Sequence, residues 1–317
     1  MNNYYLAIMA LINDKQRVRS KELFEIMIEL PKQNDQEYTL RTVLEKIGEL
    51  SSNNNSKTTD SLINTINNSI NAYTWEITKL HENDINIISY GSEKYPELLT
   101  RITNPPLIIY HRGTLFDFTN CVAIVGTRNL SYYGHRKAHD ISYGLAEKGF
   151  TIVSGLARGV DTEAHMGALD AGGRTIAVLA GNILDIYPAE NQKIATKIQE
   201  NGAIISEISS LEKIQRSRFV ERNRITSGIS NCVIIVESNT GGGTLHQVNV
   251  AKGQGKKIFV LEPPNHDIDA QKGFKEIISK GGEPFSDISE IIKYLKNFSQ
   301  GNLQPERRFN QNLLVFL

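Results

Sequence analysis

Two consecutive strand–turn–helix units between Cys121 and Ala171 constrain the fold of this chain more than any other feature. Each unit begins with a short, continuously apolar run, first 122–125 and then 151–153, which is typical of strands buried on both faces of a parallel sheet. A polar turn with a glycine and an arginine follows each run, and a helical pattern follows each turn. Doubly wound sheets bind their ligands at such strand ends.

The same alternation continues to about residue 295 with short connections. Strands are predicted at 121–126, 151–154, 175–180, 203–206, 231–237 and 256–261. Helices are predicted near 134–148, 161–171, 188–200, 222–230, 244–254 and 287–297. The pattern predicts an α/β fold: an extended Rossmann-like, doubly wound, mostly parallel sheet with a small N-terminal helical domain.

The chain divides into four segments by pattern. Residues 1–82 show helical spacing and almost no glycine, and we predict a helical N-terminal domain. Residues 83–120 read as strand, turn, proline-initiated helix and strand, a connector that packs on the edge of the Rossmann-like domain. That domain is predicted at 121–298, and a polar tail with an apolar end follows at 299–317.

Composition indicates a cytoplasmic, soluble protein. Hydrophobic residues make up 40% and charged residues 22% of the chain, and no apolar stretch approaches the roughly 20 residues that span a bilayer. The two cysteines, Cys121 and Cys232, each open an apolar strand and are expected to be buried, reduced thiols. Since 35 basic side chains balance 35 acidic ones, a site for a polyanion must be local.

The first turn, Gly126-Thr127-Arg128, lacks the dinucleotide-binding fingerprint. The positions two and five residues after Gly126 hold Arg128 and Ser131 instead of glycine, which disfavours NAD or FAD. An arginine at this point suits a phosphate bound from the side. Ser131 is expected to cap the following helix, whose free N–H groups would add to an anion site.

The second turn contains Ser154, Gly155, Arg158 and Gly159. Arg158 either pairs with a surface carboxylate or binds a polyanion, and two arginines at neighbouring strand ends favour the polyanion. The following helix begins with Asp161 and His165, four residues apart on one face. They could form a metal pair, but with no third ligand nearby we favour a helix cap and a hydrogen-bonded packing residue.

The most basic stretch is Lys213 to Arg224, with five cations against one anion. Cations that follow a phosphate backbone, with an aromatic ring for stacking, are what a binder of single-stranded nucleic acid needs. For Phe219, base stacking and core packing remain equally open. The arginines are expected to bind phosphate, with Arg222 or Arg224 as a loop anchor in the alternative interpretation.

A third glycine-rich turn, with Gly242, Gly243 and Thr244, lies between a strand and a helix and is a further candidate anion site. Nucleophile-elbow, CxxC and P-loop lysine patterns are missing from the sequence, so we expect no enzyme, cofactor or metal. Glu207 and Glu237 end strands, where they either form a carboxylate pair or anchor neighbouring loops.

Several ordered motifs resemble the DprA/Smf family of DNA-processing proteins over roughly residues 85–262. They are SYGSEKYPELLTRITNPPLIIYHRG, VAIVGTR followed by Tyr133-Gly134, IVSGLARGVDTEAHMGAL, RTIAVLAG with Tyr187-Pro188 and Asn191, ISE, and FVERNRITSGIS. The resemblance implies a Rossmann-like domain that binds and protects single-stranded DNA, hands it to the RecA recombinase during natural transformation or recombination, and forms a homodimer.

The motifs also assign DNA-facing positions by resemblance. These are Gly126, Thr127, Arg128, Ser154, Gly155 and Arg158, with Arg222, Asn223 and Arg224 nearby. The residue patterns add Gly159, Lys213, Phe219, Gly242, Gly243 and Thr244.

Two other functions remain open. The loop NTGGGTLHQ resembles a motif of the LOG phosphoribohydrolases, but the expected acid falls on Gln247, and an amide cannot act as a general acid or base at neutral pH. The second is a nucleotide-sensing or defence module with the helical N-terminal domain as its effector.

Overall fold

The computed structural model describes residue 72 and residues 74–90, 92–114 and 118–299. The predicted N-terminal domain over 1–82 therefore lies almost wholly outside the described residues, and so does the tail beyond Ser299. Of the N-terminal segment, a helix over 74–82, here α1, is described.

A nine-stranded sheet forms the centre of the described part of the chain. Its strands are β1 Ile85–Ser89, β2 Ile108–Gly113, β3 Cys121–Val125, β4 Thr151–Ser154, β5 Thr175–Val178, β6 Gly202–Ser206, β7 Cys232–Ile235, β8 Lys257–Leu261 and β9 Glu283–Phe285. After α1, the helices are α2 Tyr132–Glu147, α3 Val160–Asp170, α4 Gln192–Glu200, α5 Arg216–Glu221, α6 Asn223–Gly228, α7 Gly243–Gly253, α8 Ile268–Ser279 and α9 Ile288–Ser299. Two short 3-10 helices lie at Glu97–Arg101 and Ala189–Asn191.

The strand order is β1-β2-β6-β5-β4-β3-β7-β8-β9. Strands β3 to β9 pair in parallel, while β1 and β2 pair antiparallel and extend the sheet beyond β6. The chain runs outward from β3 to β6 and then returns to place β7 beside β3. The carboxyl ends of β3 and β7 therefore form the topological switch point, where open α/β sheets bind their ligands.

Both faces of the sheet are covered, as the continuously apolar strands require. Val122 and Ile124 of β3 belong to a core cluster with apolar residues of α2, α3 and α9. The alternate residues Cys121, Ala123 and Val125 belong to clusters that include side chains of α6, α7 and α8. This two-sided burial confirms the predicted doubly wound, mostly parallel α/β fold.

Both cysteines are buried and free, as predicted. Burial raises the pKa of the Cys232 thiol to about 12, so this thiol stays protonated at neutral pH. Among the described helices, none has the length and apolar character needed to cross a bilayer.

The strands and helices predicted over residues 83–298 are present, with ends that differ by a few residues from the prediction, and the helices predicted within residues 1–82 lie almost wholly outside the described residues. Elements α5, α8 and β9 were not predicted. Helix α5 lies in the basic stretch, where charge obscures the helical pattern. The start of α8 carries a readable signal, because the side chain of Asp267 caps it by accepting a hydrogen bond from the Ala270 N–H at 3.0 Å.

Candidate nucleic-acid interface

The first turn, after β3, packs tightly against its neighbours. The Thr127 N–H donates to the Glu237 carbonyl at the end of β7 (2.9 Å). A Cβ at Gly126 would collide with the Val160 side chain and with the same carbonyl, so only glycine fits. The turn is thus held at the switch point and leaves Arg128 exposed at its tip.

The second turn, after β4, touches the first. Gly159 has a φ of 77°, and a Cβ there would overlap the backbone of Thr127 and Arg128. The Val160 N–H donates to the Thr127 carbonyl at 3.2 Å. Arg128 and Arg158 are therefore brought to one edge of the sheet, as the sequence predicts.

Ser154 and Gly155 of this turn do not reach the surface. The Ser154 side chain is fully buried and its hydroxyl donates to the Ile124 carbonyl at 2.7 Å. Gly155 faces the Arg222 guanidinium, which fills the space that a Cβ would need. These two residues shape the turn from below, which corrects the expectation that they face DNA.

Arg222 is 7% exposed and lies under the second turn. Its counter-charge is Asp161, whose carboxylate accepts hydrogen bonds from the Gly155 and Ala157 N–H groups at 3.1 and 3.3 Å. Burial raises the pKa of Asp161, and the charge of Arg222 acts against this rise. A buried, charge-paired guanidinium cannot meet a phosphate, so the expected phosphate contact of Arg222 is replaced by a loop-anchoring role.

His165 is also buried, and Thr175 holds it in place. Its Nδ1 lies 2.7 Å from the Thr175 hydroxyl, and burial lowers the pKa of His165 to about 3. His165 is therefore a hydrogen-bonded packing residue, as favoured, whereas Asp161 accepts from N–H groups of the preceding turn and does not cap α3, whose N-cap is Gly159 without a side-chain hydrogen bond. No group of three metal-ligating side chains occurs within the described ranges.

Most arginines of the basic stretch already have carboxylate partners. Arg224 forms a two-point ion pair with Glu207 at 2.8 and 2.5 Å. Arg218 pairs with Glu212 at 2.8 Å and with Glu221 at 3.1 Å. Glu207 is thus a loop anchor, the second of the two roles left open for it.

Lys213 and Arg216 are exposed and have no ion-pair partner among the described residues. Asn223 is half-buried at the start of α6, and its carbonyl accepts from the Ser227 hydroxyl at 3.0 Å. In this stretch the side chains accessible to an anion are therefore Lys213 and Arg216.

Phe219 connects this stretch to the first turn. The Arg128 guanidinium carbon lies 5.2 Å from the centroid of the Phe219 ring, a cation–π distance. The Tyr187 ring meets Phe219 edge to face at 5.7 Å and is 53% exposed. Tyr187 was not predicted as a site residue, although its place in the Tyr187-Pro188 motif is a signal that could have found it.

The glycine-rich turn after β7 adjoins the first turn, where the Asn239 amide approaches the Thr127 hydroxyl at 3.5 Å. A Cβ at Gly243 would meet open space, and Thr244 is buried in the first turn of α7. The Gly241 N–H faces the Glu276 carboxylate at 3.4 Å. The Gly242 N–H donates to the Asn239 carbonyl at 3.2 Å, so two N–H groups of this candidate anion site already have acceptors.

The N-terminus of α2 is occupied as well. Ser131 caps it as predicted, since its hydroxyl accepts from the Gly134 N–H at 3.0 Å. The Glu237 carboxylate accepts from the Ser131 N–H at 3.0 Å and from the Ser131 hydroxyl at 2.6 Å. Glu237 is thus a second loop anchor, and the expectation that this helix end adds to an anion site is wrong because a carboxylate of the chain lies there.

Arg158 is exposed but not free. Its guanidinium donates to both carboxylate oxygens of Glu190, at 2.6 and 2.8 Å. Hydrogen bonding to Arg158 holds the pKa of Glu190 below its usual range. Of the two alternatives for Arg158, the structure shows pairing with a surface carboxylate. Binding of a polyanion would use the same guanidinium.

Contacts join the two turns to the Phe219–Tyr187 pair of rings, and Phe219 belongs to the basic stretch, so these elements supply one surface. We call it the carboxyl-edge surface and define it by the exposed side chains Arg128, Arg158, Tyr187, Lys213, Arg216 and the half-buried Phe219. It combines cations with accessible ring faces, which is the chemistry of binding single-stranded nucleic acid.

Comparison with known proteins assigns the family. A model of the family described as DNA recombination-mediator protein A matches residues 86–296. The chain belongs to this family. It is also 35% identical to DNA processing protein DprA of Bacillus subtilis over 216 residues, which cover 68% of this chain and 72% of that protein. The match to Protein Smf of Synechocystis, at 36% identity, covers 63% of this chain and 52% of that protein.

Solved structures of the DprA family share the fold. DNA processing protein A from Streptococcus pneumoniae superposes with a TM-score of 0.72 at 24% identity, covering 92% of this chain and 98% of that one. The same protein from Helicobacter pylori gives a TM-score of 0.60 at 28% identity, covering 68% of this chain and 96% of that one. The Helicobacter structure is described as showing a unique mode of binding single-stranded DNA.

Proposed function

We propose that this chain binds single-stranded DNA on the carboxyl-edge surface and that it does so without catalysis. The observation that carries the proposal is the contact between Arg128 and the half-exposed Phe219–Tyr187 pair. It sets a cation for the phosphate next to ring faces for an unpaired base, and base–aromatic stacking requires bases that are free of a partner strand.

Phosphates would be bound by Arg128, Lys213 and Arg216, with Arg158 and the N–H group of Gly243 at the edge. In this proposal Ser154, Gly155, Arg222 and Arg224 support the turns and the basic stretch through the buried contacts and ion pairs described above. The family membership and the single-stranded DNA described for the Helicobacter relative support the same ligand.

A binding titration tests the proposal directly. Fluorescence anisotropy with a labelled oligo-dT at low salt should show binding, and a duplex of equal length should bind more weakly. Arg128→Ala should weaken binding to oligo-dT by about 1–3 kcal/mol, the loss expected for one charge-assisted contact. Arg218→Ala, which removes an arginine already paired with two glutamates, is the matched control. Absence of binding by the unaltered protein would refute the proposal.

Transfer of the strand to RecA recombinase, protection of incoming strands and dimerisation through the Rossmann-like domain are parts of the proposal that rest on the family resemblance. A mobility shift of oligo-dT with and without RecA tests the first of these. We expect a ternary complex of oligo-dT, this protein and RecA that migrates more slowly in the gel than either binary complex. Equal binding of RecA to oligo-dT with and without this protein would contradict this part of the proposal.

The residue at the position of the LOG acid, Gln247, does not support nucleotide hydrolysis of the LOG type. Gln247 is buried, and its amide nitrogen donates to the Asn223 carbonyl at 3.3 Å. The position therefore holds a structural amide where that chemistry needs an acid.

A further inference from the structure

Arg158 is the one exposed arginine of the carboxyl-edge surface, among the described residues, that already has a two-point carboxylate partner. Its side chain is 62% exposed and that of Glu190 is 51% exposed, yet Nε and one terminal nitrogen reach the two Glu190 oxygens at 2.6 and 2.8 Å. A guanidinium presents the same pair of donors to a phosphate. A DNA phosphate and the Glu190 carboxylate would therefore compete for one set of N–H groups.

The position of Glu190 is set by the fold and not by the side chain alone. Glu190 lies on the 3-10 helix Ala189–Asn191. The adjacent Asn191 is buried, and its amide nitrogen donates to the Leu156 carbonyl and to the Thr162 hydroxyl, both at 2.9 Å. These bonds attach the 3-10 helix to the turn that carries Arg158, so the carboxylate is held opposite the guanidinium.

We propose that Glu190 is an internal competitor for phosphate that occupies Arg158 in the DNA-free protein and is displaced when a strand binds. The proposal rests on the proposed function, since it concerns the same surface. Exposed ion pairs are weak, so the exchange is reversible. Arg158 then contributes to binding only where neighbouring contacts already hold the strand, which favours a continuous strand over a single nucleotide.

The test is a double-mutant cycle read by oligo-dT anisotropy at low salt. Glu190→Gln removes the competing charge with little change of shape, and we expect about two- to fivefold tighter binding, the range that loss of one weak ion pair allows. Asp185→Asn is the matched control, because it removes an exposed carboxylate from the same segment that has no ion-pair partner among the described residues. In an Arg158→Ala background, Glu190→Gln should have no effect beyond that of the control.

Each outcome decides between the two proposals. If the unaltered protein does not bind oligo-dT, the proposed function fails, whatever Glu190 does. If it binds, and Glu190→Gln binds equally or more weakly, the competition is refuted. A gain that matches the Asp185→Asn gain, or that persists without Arg158, would show a general charge effect and refute it as well. Thermal melting of each variant checks that the fold is retained.

Discussion

Arginines in and below the carboxyl-edge surface differ in the partners that their guanidinium groups contact. Arg128 has an aromatic ring beside it, Arg158 has an exposed glutamate, and Arg222 is buried with Asp161. The sequence predicts that arginines occur at these strand ends but does not indicate which of their guanidinium groups are free to bind an anion. The partner of Arg158 is 32 positions away, and that of Arg224 is 17 positions away, so tertiary structure decides which guanidinium is free.

Tyr187 provides a test of base stacking that is separate from charge. Tyr187→Ala should weaken oligo-dT binding by about 1–3 kcal/mol, the range for one base stacked on an aromatic ring. Its salt dependence should not change, because no cation is removed. Tyr187→Phe keeps the ring and should bind like the unaltered protein. Equal losses in the alanine and phenylalanine variants would place the effect in the hydroxyl and contradict stacking.

His165 should make the fold sensitive to acid. Its pKa is lowered from 6.5 to about 3 in the folded state, so the folded protein keeps it neutral while the unfolded chain takes up a proton. Above about pH 6.5, His165 is neutral in both states and does not lower the free energy of unfolding. As the pH falls toward 3, protonation of His165 in the unfolded chain lowers the free energy of unfolding by up to about 1.4 kcal/mol per pH unit. The measurement is urea denaturation at a series of pH values between 7 and 4.5.

The control for this prediction is a comparison of slopes. His165→Gln should flatten the loss of unfolding free energy with acidification, even if it lowers stability at pH 7. His246→Gln, which changes an exposed histidine, should leave the slope as it is. A His165→Gln slope equal to that of the unaltered protein would contradict the assignment.

Strand–turn–helix units are the elements that place the cations, and glycines let the turns touch. The strands were predictable because burial on both faces requires continuous apolar runs. The sequence pattern does not predict the three-residue β9, because Pro284 is in its centre and two of its residues are exposed. The mutual contact of the two turns was not predictable, since it depends on Gly159 meeting the backbone of a turn 31 residues earlier in the chain.

Gly159→Ala should disturb both turns together. Its φ of 77° already disfavours a side chain, and the new methyl group would overlap the backbone of Thr127 and Arg128. We expect a loss of unfolding free energy of more than about 1 kcal/mol together with weaker oligo-dT binding. Denaturant melts and anisotropy measure the two effects.

Gly172→Ala isolates the cost of backbone conformation. Gly172 has a φ of 64°, and nothing lies within 4 Å of the position that its Cβ would take. The Gly172→Ala variant should have a lower free energy of unfolding because of its positive φ alone, and it should retain its affinity for oligo-dT. If Gly159→Ala behaves in the same way as Gly172→Ala, the contact between the turns is not important for binding.

The whole molecule carries no net charge, so we expect its attraction for a polyanion to come from a local surface. The proposed function assigns four cations of the carboxyl-edge surface to phosphates. Each neutralised phosphate of a single strand contributes about −0.7 to the slope of log K against log salt concentration, and the predicted slope is therefore about −3. Anisotropy titrations from 50 to 300 mM NaCl measure it.

This slope distinguishes a local site from a general basic surface. Arg128→Ala should reduce its magnitude by about 0.7, because one phosphate contact is lost. A slope much steeper than the prediction would mean that cations outside the carboxyl-edge surface bind the strand. A slope near zero would mean that phosphate contacts are unimportant.

Strand β9 is three residues long, contains Pro284 and forms one end of the sheet order. A short strand with a proline offers few N–H groups to a further strand, and natural proteins use this device to prevent edge-to-edge aggregation. Two copies of this chain are therefore poorly suited to joining their sheets through β9. If the chain dimerises, we expect its helices to supply the contact at this end, which leaves the carboxyl ends of the strands accessible to DNA in both copies.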